Sequence, residues 1–239
     1  MKSRILPLFV VSLTLFIASS CIFLGSSIKG NGNVVEETRE VGSFNEIKAT
    51  RGMNVYITQG DEEKVVVEAD ENLLDAIETK IDKHTLVITT SKNIRKSTAK
   101  KVFVTAPDLK GIKSTAGSNV YSENQIKAKS LELSTTAGSN MRLDVDARRL
   151  NVSASAGSNI TLEGQGESFV GKASSGSNIK AGDLNIGECE AHASSGANIW
   201  INVREKLDGH ASSGGNVFYS GNPKSMNTES SSGGNVTKN

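Results

Sequence analysis

SASAGSNI at residues 153–160 and ASSGSNI at 173–179 are two copies of one motif, and their alignment decides the fold. Working outward, the same pattern appears as STAGSNV (114–120), TTAGSNM (135–141), ASSGANI (193–199), ASSGGNV (211–217) and SSSGGNV (230–236). The seven asparagines are Asn119, Asn140, Asn159, Asn178, Asn198, Asn216 and Asn235, spaced by 21, 19, 19, 20, 18 and 19 residues. A weaker copy, KATRGMNVYI (48–57), is centred on Asn54 and parallels KSTAGSNVYS at 113–122. A fixed period near 20 residues is the mark of a repeat architecture, and it precedes every other consideration.

Each column of the aligned copies carries a physical instruction. Two residues before the Asn stands Gly in every copy: Gly52, Gly117, Gly138, Gly157, Gly176, Gly196, Gly214 and Gly233. Such a position needs either a positive φ or close approach of neighbouring backbone. Four before the Asn is always Ser or Thr, which predicts a stack of hydroxyls. Directly after it comes Val55, Val120, Met141, Ile160, Ile179, Ile199, Val217 or Val236, and a second apolar residue often follows two positions on. Between them the column is varied: Tyr56, Tyr121, Arg142, Thr161, Lys180, Trp200, Phe218, Thr237. Alternation of period two predicts a strand with one buried face.

A second apolar cluster (SLEL, RRLNVSA, SFVGKA, KLDGHA) predicts two short strands per copy, joined by tight turns. One such unit cannot bury its own apolar face, whereas stacked units can. The expected fold is therefore all-β: a parallel β-helix, or solenoid, with coils of about 19 residues stacked roughly 4.8 Å apart. Asn tolerates left-handed backbone and carries both a donor and an acceptor, so its column predicts a side-chain ladder. Disorder would explain the abundance of Gly, Ser and Asn but not apolar residues at fixed offsets. Calcium-binding nonapeptide solenoids have a shorter period and recurrent Asp. A propeller blade needs about 40 residues.

Residues 58–112 interrupt the period with expected strands at 64–69, 85–90 and 101–107. ENLLDAIETK (71–80) predicts a helix of two or three turns with Asp70 as its N-cap. This region reads as irregular coils of the same solenoid containing that helix; a separate cap is the alternative, since an open solenoid end exposes strand edges.

The first residues read as an export signal. Lys2 and Arg4 precede an apolar run from Ile5 to Ile17, too short for the roughly 20 residues of a membrane-spanning helix. Ala18, Ser19 and Ser20 then lead directly into Cys21, which resembles a bacterial lipobox in which Cys21 is acylated. The expected organisation is a lipoprotein-type signal peptide (1–20), a flexible linker after lipidated Cys21 (21–41), the N-terminal part of the head domain (42–112) and regular repeats (113–239). Membrane attachment through the acyl chains follows, at about 0.8 kcal/mol per buried methylene. The other cysteine, Cys189, has no partner for a disulfide and no metal-ligand spacing, so it reads as a small buried or idle thiol.

The block FNEIKATRGMNVYITQGDEEKVVVEADENLLDAI (44–77) followed by serial SxxGSNI repeats resembles the auto-transporter adhesin head GIN domain family, over about residues 42–236. That family occurs largely in lipoproteins and secreted proteins of Bacteroidetes. The resemblance implies a β-helical fold without an established enzymatic activity, and it supplies no catalytic residue to carry over.

Charge and motif content narrow the function. Lys and Arg total 27 against 26 Asp and Glu, which argues against a nucleic-acid binder. No nucleophile elbow, phosphate loop or zinc motif occurs, so no enzyme, cofactor or metal is expected. Asp144, Asp146, Glu163, Asp183, Glu188 and Glu190 are read as scattered, without one recurring offset.

Two pairs do share an offset. His192 and His210 lie six residues before their Asn, and Trp200 and Phe218 lie two after theirs, so adjacent coils bring each pair together. Stacked exposed aromatics beside polar groups are a candidate ligand-binding strip for sugars, and paired His a candidate metal site. The blander alternative, weightier for the histidines, is ordinary coil-to-coil stabilisation.

The expected function is a non-catalytic envelope lipoprotein acting as an adhesin that binds glycan or protein. A structural module that self-assembles into homo-oligomers is the alternative, and a polysaccharide-degrading enzyme is less supported. Ile22 after Cys21 points to the outer membrane. CIFLGSSIKG (21–30) lacks the acidic residues associated with surface export, so a periplasm-facing orientation stays open beside a surface-exposed one.

Overall fold

Sequence columns become stacked strands in the computed structural model, which describes residues 27–239. The expected signal peptide and Cys21 lie outside the described residues. The N-terminal strands are β1 (Ser27–Lys29), β2 (Val34–Arg39), β3 (Glu46–Ala49), β4 (Asn54–Gln59), β5 (Lys64–Asp70), β6 (Ile77–Asp82), β7 (Thr85–Thr90), β8 (Asn93–Lys96) and β9 (Lys100–Ala106). The stacked coils follow as β10 (Gly111–Ser114), β11 (Asn119–Ser122), β12 (Ile126–Thr135), β13 (Asn140–Ala154), β14 (Asn159–Ala173), β15 (Asn178–Ala193), β16 (Asn198–Ala211), β17 (Asn216–Gly221), β18 (Ser225–Ser230) and β19 (Asn235–Lys238). From β10 onward each coil pairs in parallel with the next, as the period predicts.

The expected pair of short strands per copy needs correction in the middle coils. There β13, β14, β15 and β16 each run unbroken from the repeat Asn to the residue before the next turn. The chain bends inside these long strands: Gly164 in β14 has a φ of 110°, and the ladder skips Arg148, Glu167 and Gly187.

The turn itself is a two-residue reversal. In each copy the residue before the Gly and the Gly both have positive φ, for example Ala156 at 52° and Gly157 at 68°. Ser118 N donates back to Thr115 O, closing a type I′ turn. A Cβ built on Gly157 meets nothing within 4 Å, so this Gly serves φ and not close approach. The buried serine that follows fastens the turn. Ser158 Oγ donates to Ser155 O at 2.8 Å and to Thr135 O of the preceding coil at 3.0 Å. The expected hydroxyl stack four before the Asn is realised in one bond, Ser155 Oγ to Thr136 Oγ1 at 3.1 Å.

Uneven spacing is absorbed away from the turns. Asn178 pairs with Asn198 and His192 with His210, while Gly182, Asp183 and Leu184 find no partner on β16. The coil of 20 residues thus bulges on the side remote from the ladder. Inward positions form one continuous core. Val55, Val120, Met141, Ile160, Ile179, Ile199 and Val217 are all at most 2% exposed, each contributing about 1.5–3 kcal/mol of burial.

The N-terminal region closes the solenoid by folding back under it. Asn119 stacks directly on Asn54 although 65 residues separate them. The intervening chain descends: β7 and β9 pair in parallel beneath β3 and β4, and β5 and β6 pair with them antiparallel. Finally β2 adds antiparallel to β5. The expected helix is shorter than predicted, a 3₁₀ segment over Glu71–Ala76.

Asp70 does not cap that helix with its side chain. It is buried at 1% exposure and accepts from Gly32 N (3.0 Å), Thr98 N (2.9 Å) and Ala99 N (2.9 Å). The Ala99 bond, ahead of the opposing effect of burial, holds its carboxyl below the usual range. Cap propensity at Asp70 was thus outcompeted by three backbone donors from two other segments.

Candidate ligand-binding face

Every repeat asparagine points along the stack. Asn119 Nδ2 donates to Asn54 Oδ1 at 2.9 Å, and the pattern continues through Asn140, Asn159, Asn178, Asn198 and Asn216 at 2.9–3.0 Å to Asn235 at 3.3 Å. Parallel stacking in register makes this inevitable: each amide finds the same amide one coil away, donor facing acceptor. The ladder and its glycines (Gly117, Gly138, Gly157, Gly176, Gly196, Gly214, Gly233) are therefore architecture, and the variable outward files between them carry the chemical individuality of the surface.

The outward file two residues after the Asn is the most distinctive. Trp200 stacks on Phe218 with ring centroids 5.3 Å apart and planes 18° apart, and both rings are half-buried. Further along the same file Tyr56 stacks between Phe103 (5.2 Å) and Tyr121 (5.3 Å). Between the two aromatic stacks come Arg142, Thr161 and Lys180, in successive coils. Neither Arg142 nor Lys180 has a side-chain hydrogen bond or ion pair with a described residue. The triple stack was missed from sequence. Tyr56 and Tyr121 share an offset and were findable, whereas Phe103 joins them only because β9 folds under β4.

Beside this file runs an acidic one, which corrects the reading of scattered carboxylates. Strand register places Asp144, Glu163 and Asp183 side by side, the bulge in β15 concealing the last of them in simple counting. Gln125 Nε2 donates to Asp144 Oδ1 at 3.0 Å. Asp146, Glu188 and Glu190 lie in other files, paired with Gln165, Ser168 and Val170.

His192 and His210 lie in register with ring centroids 4.7 Å apart and planes 6° apart. Each meets carboxylates of the same face. His192 Nε2 lies 2.7 Å from Glu190 Oε1, and His210 contacts Asp208 Oδ1 at 2.9 Å and Glu229 Oε2 at 3.2 Å. Among the described residues no group of three or more His, Cys, Asp or Glu is arranged to hold a metal ion. Cys189 is buried in the core at 3% exposure, and desolvation pushes its thiol far above the usual range.

The fold and its outward files define a parallel β-solenoid of the adhesin-head type. Residues 43–223 match the family described as putative auto-transporter adhesin, head GIN domain, and the chain belongs to that family. The fold is similar to a putative adhesin from Bacteroides fragilis NCTC 9343 (TM-score 0.79, 22% identity), covering 89% of this chain and 100% of that one. It is also similar to a putative lipid binding protein from Parabacteroides distasonis ATCC 8503 (TM-score 0.70, 19% identity; 90% and 100% covered). A third such structure is a putative adhesin from Parabacteroides merdae ATCC 43184 (TM-score 0.68, 18% identity; 90% and 99% covered). At these identities the likeness establishes the fold. No curated protein matches the chain.

Proposed function

We propose that the chain is a non-catalytic lipoprotein of the cell envelope that binds a glycan or protein ligand on its outward files, anchored through acylated Cys21 in the outer membrane. Family membership supports an adhesin-type role at the envelope. The observation that carries the binding reading is the Trp200–Phe218 stack on an outward file, next to an unpaired Lys180. Aromatic rings supply large contact area at low entropic cost, and the neighbouring cation and carboxylates supply hydrogen bonds to hydroxyl groups. Three of the carboxylates, Asp144, Glu163 and Asp183, form one file beside the aromatic one, where they supply acceptors for ligand hydroxyl groups. Binding of the wild type and of Trp200→Ala/Phe218→Ala to a glycan array tests this reading. A loss of about tenfold or more is expected for the double variant, and unchanged binding refutes a role for the strip.

A second reading, self-assembly, has one observation in its favour. Met226, in register with inward Leu207 of the coil below, is 52% exposed on the outer side of the last described coil. Solution mass discriminates: a monomer at micromolar concentration removes this reading.

A further inference from the structure

The coil beneath Asn54 differs from the others where the repeat turn should be. Its place between β7 and β9 is taken by the excursion 91–99, which carries β8 and pairs in parallel with β1. From Lys83 to Pro107 the sequence holds no Asp or Glu but six Lys or Arg residues. Lys29 of β1 and Lys96 of β8 stand directly opposite each other in the register. Like charges in that arrangement destabilise a strand pair, so this sheet forms against its own electrostatics.

Neighbouring groups do not relieve the repulsion. Lys29, Lys92, Arg95 and Lys96 are exposed, and none of their side chains has a hydrogen bond or ion pair with a described residue. Behind them lies a cleft of about 480 Å³ lined by Lys92, Asn93, Ile94 and Lys100, with no carboxylate in its walls. Lys100 is half-buried there without an anionic partner, and desolvation holds its ammonium below the usual lysine range. Asp70, the nearest buried carboxylate, is spent on the backbone N–H groups of Gly32, Thr98 and Ala99. Those three bonds fix the loop after β1 to the end of the excursion, so the cations are held on a rigid base.

Position identifies the partner. Ser27 stands six positions after Cys21, a reach of at most about 20 Å in any conformation. We propose that the β1–β8 face, through Lys29, Lys92, Arg95 and Lys96, docks on the anionic phosphate headgroups of the bilayer surface beside the lipid anchor. The proximity argument rests on acylation of Cys21. The docking sets the solenoid's N-terminal end against the membrane and leaves the Trp200–Phe218 end away from it.

The test uses the mature chain from residue 21 with Cys21→Ser, which has no acyl group but keeps every described element. Its partition is measured on vesicles of phosphatidylcholine alone and of phosphatidylcholine with phosphatidylglycerol. Binding is expected on the anionic vesicles only, weakening as salt rises. Lys29→Gln/Arg95→Gln/Lys96→Gln is expected to lower the partition about 100-fold, near fivefold per cation removed. Lys127→Gln/Lys129→Gln/Arg148→Gln, on a distant corner, is expected to leave it unchanged, with circular dichroism confirming that both variants fold. Equal binding to the two vesicles, or indifference to the first triple variant, overturns the proposal. Incorporation of labelled palmitate at Cys21 is scored separately, so failure of the anchor is distinguished from failure of the docking face.

Discussion

Asn159 donates from Nδ2 to Oδ1 of Asn140 at 3.0 Å, across 19 residues of chain and one coil of the solenoid. Its own Oδ1 accepts from Asn178 at 2.9 Å. Each amide therefore sets the position of the next, and the ladder locks the register of eight coils at one corner. Asn159→Ala removes both bonds at a partly solvated site and is expected to cost about 1–2 kcal/mol in urea unfolding. Asn159→Asp keeps the acceptor but loses the donor to Asn140, so it should be destabilised as well, by more at neutral pH than when the carboxyl is protonated.

The type I′ turns separate two uses of glycine. Ala156 sits at φ 52° with a Cβ, a conformation costing about 1–2 kcal/mol, so Ala156→Gly is expected to be neutral or stabilising by up to about 1 kcal/mol. Gly157→Ala should cost about 1 kcal/mol through φ alone, since its Cβ would meet nothing. Gly215→Ala should cost more. Its Cβ would stand 2.6 Å from the backbone of Ala193 and Ser194, and backbone in a paired coil cannot move aside. Thermal unfolding of the three variants should reproduce that order.

Asp70 makes stability depend on pH in a defined direction. Its folded-state pKa is lowered, so the stabilisation is full above the unfolded value of 3.8 and is lost as pH falls through the lower folded value. Asp70→Ala orphans three backbone donors and is expected to cost about 3 kcal/mol or more at pH 7. The difference between wild type and Asp70→Asn should shrink as pH is taken from 6 towards 2. A constant difference across that range would show that the carboxylate charge contributes nothing.

Cys189 is sealed in the core and its thiol is held protonated by burial. In the chain carrying Cys21→Ser, alkylation of Cys189 by iodoacetamide at pH 8 should be undetectable in the native state and complete in denaturant. Phe169 and Leu207 stand in register with Cys189 on the coils either side, and labelling of the native chain would show that these coils open.

Much of this fold was legible because a solenoid repeats its instructions. The Asn and Gly columns, the inward Val/Ile column and the pairings Trp200–Phe218 and His192–His210 all follow from offsets counted along the chain. What was not legible depends on pairing that counting cannot see. Asp183 joins Asp144 and Glu163 only because β15 carries one extra residue against β14 between Lys180 and Asp183. Phe103 reaches Tyr56 because β9 turns beneath β4. Asp70 reads locally as a helix cap, while its actual donors lie 29 and 38 residues away. The positive φ of Ala156 was hidden for a different reason: alanine carries no sequence signal for left-handed backbone, which here is imposed by the coil closing on itself.

The proposed adhesin role requires the solenoid to be displayed outside the cell as a ligand-binding surface. It is tested most directly by labelling intact cells with an antibody raised against residues 113–239. The account predicts strong labelling without permeabilisation, lost when Cys21 is replaced by Ser. Labelling that appears only after the outer membrane is permeabilised would contradict it, placing the chain on the periplasmic side and removing the adhesin reading.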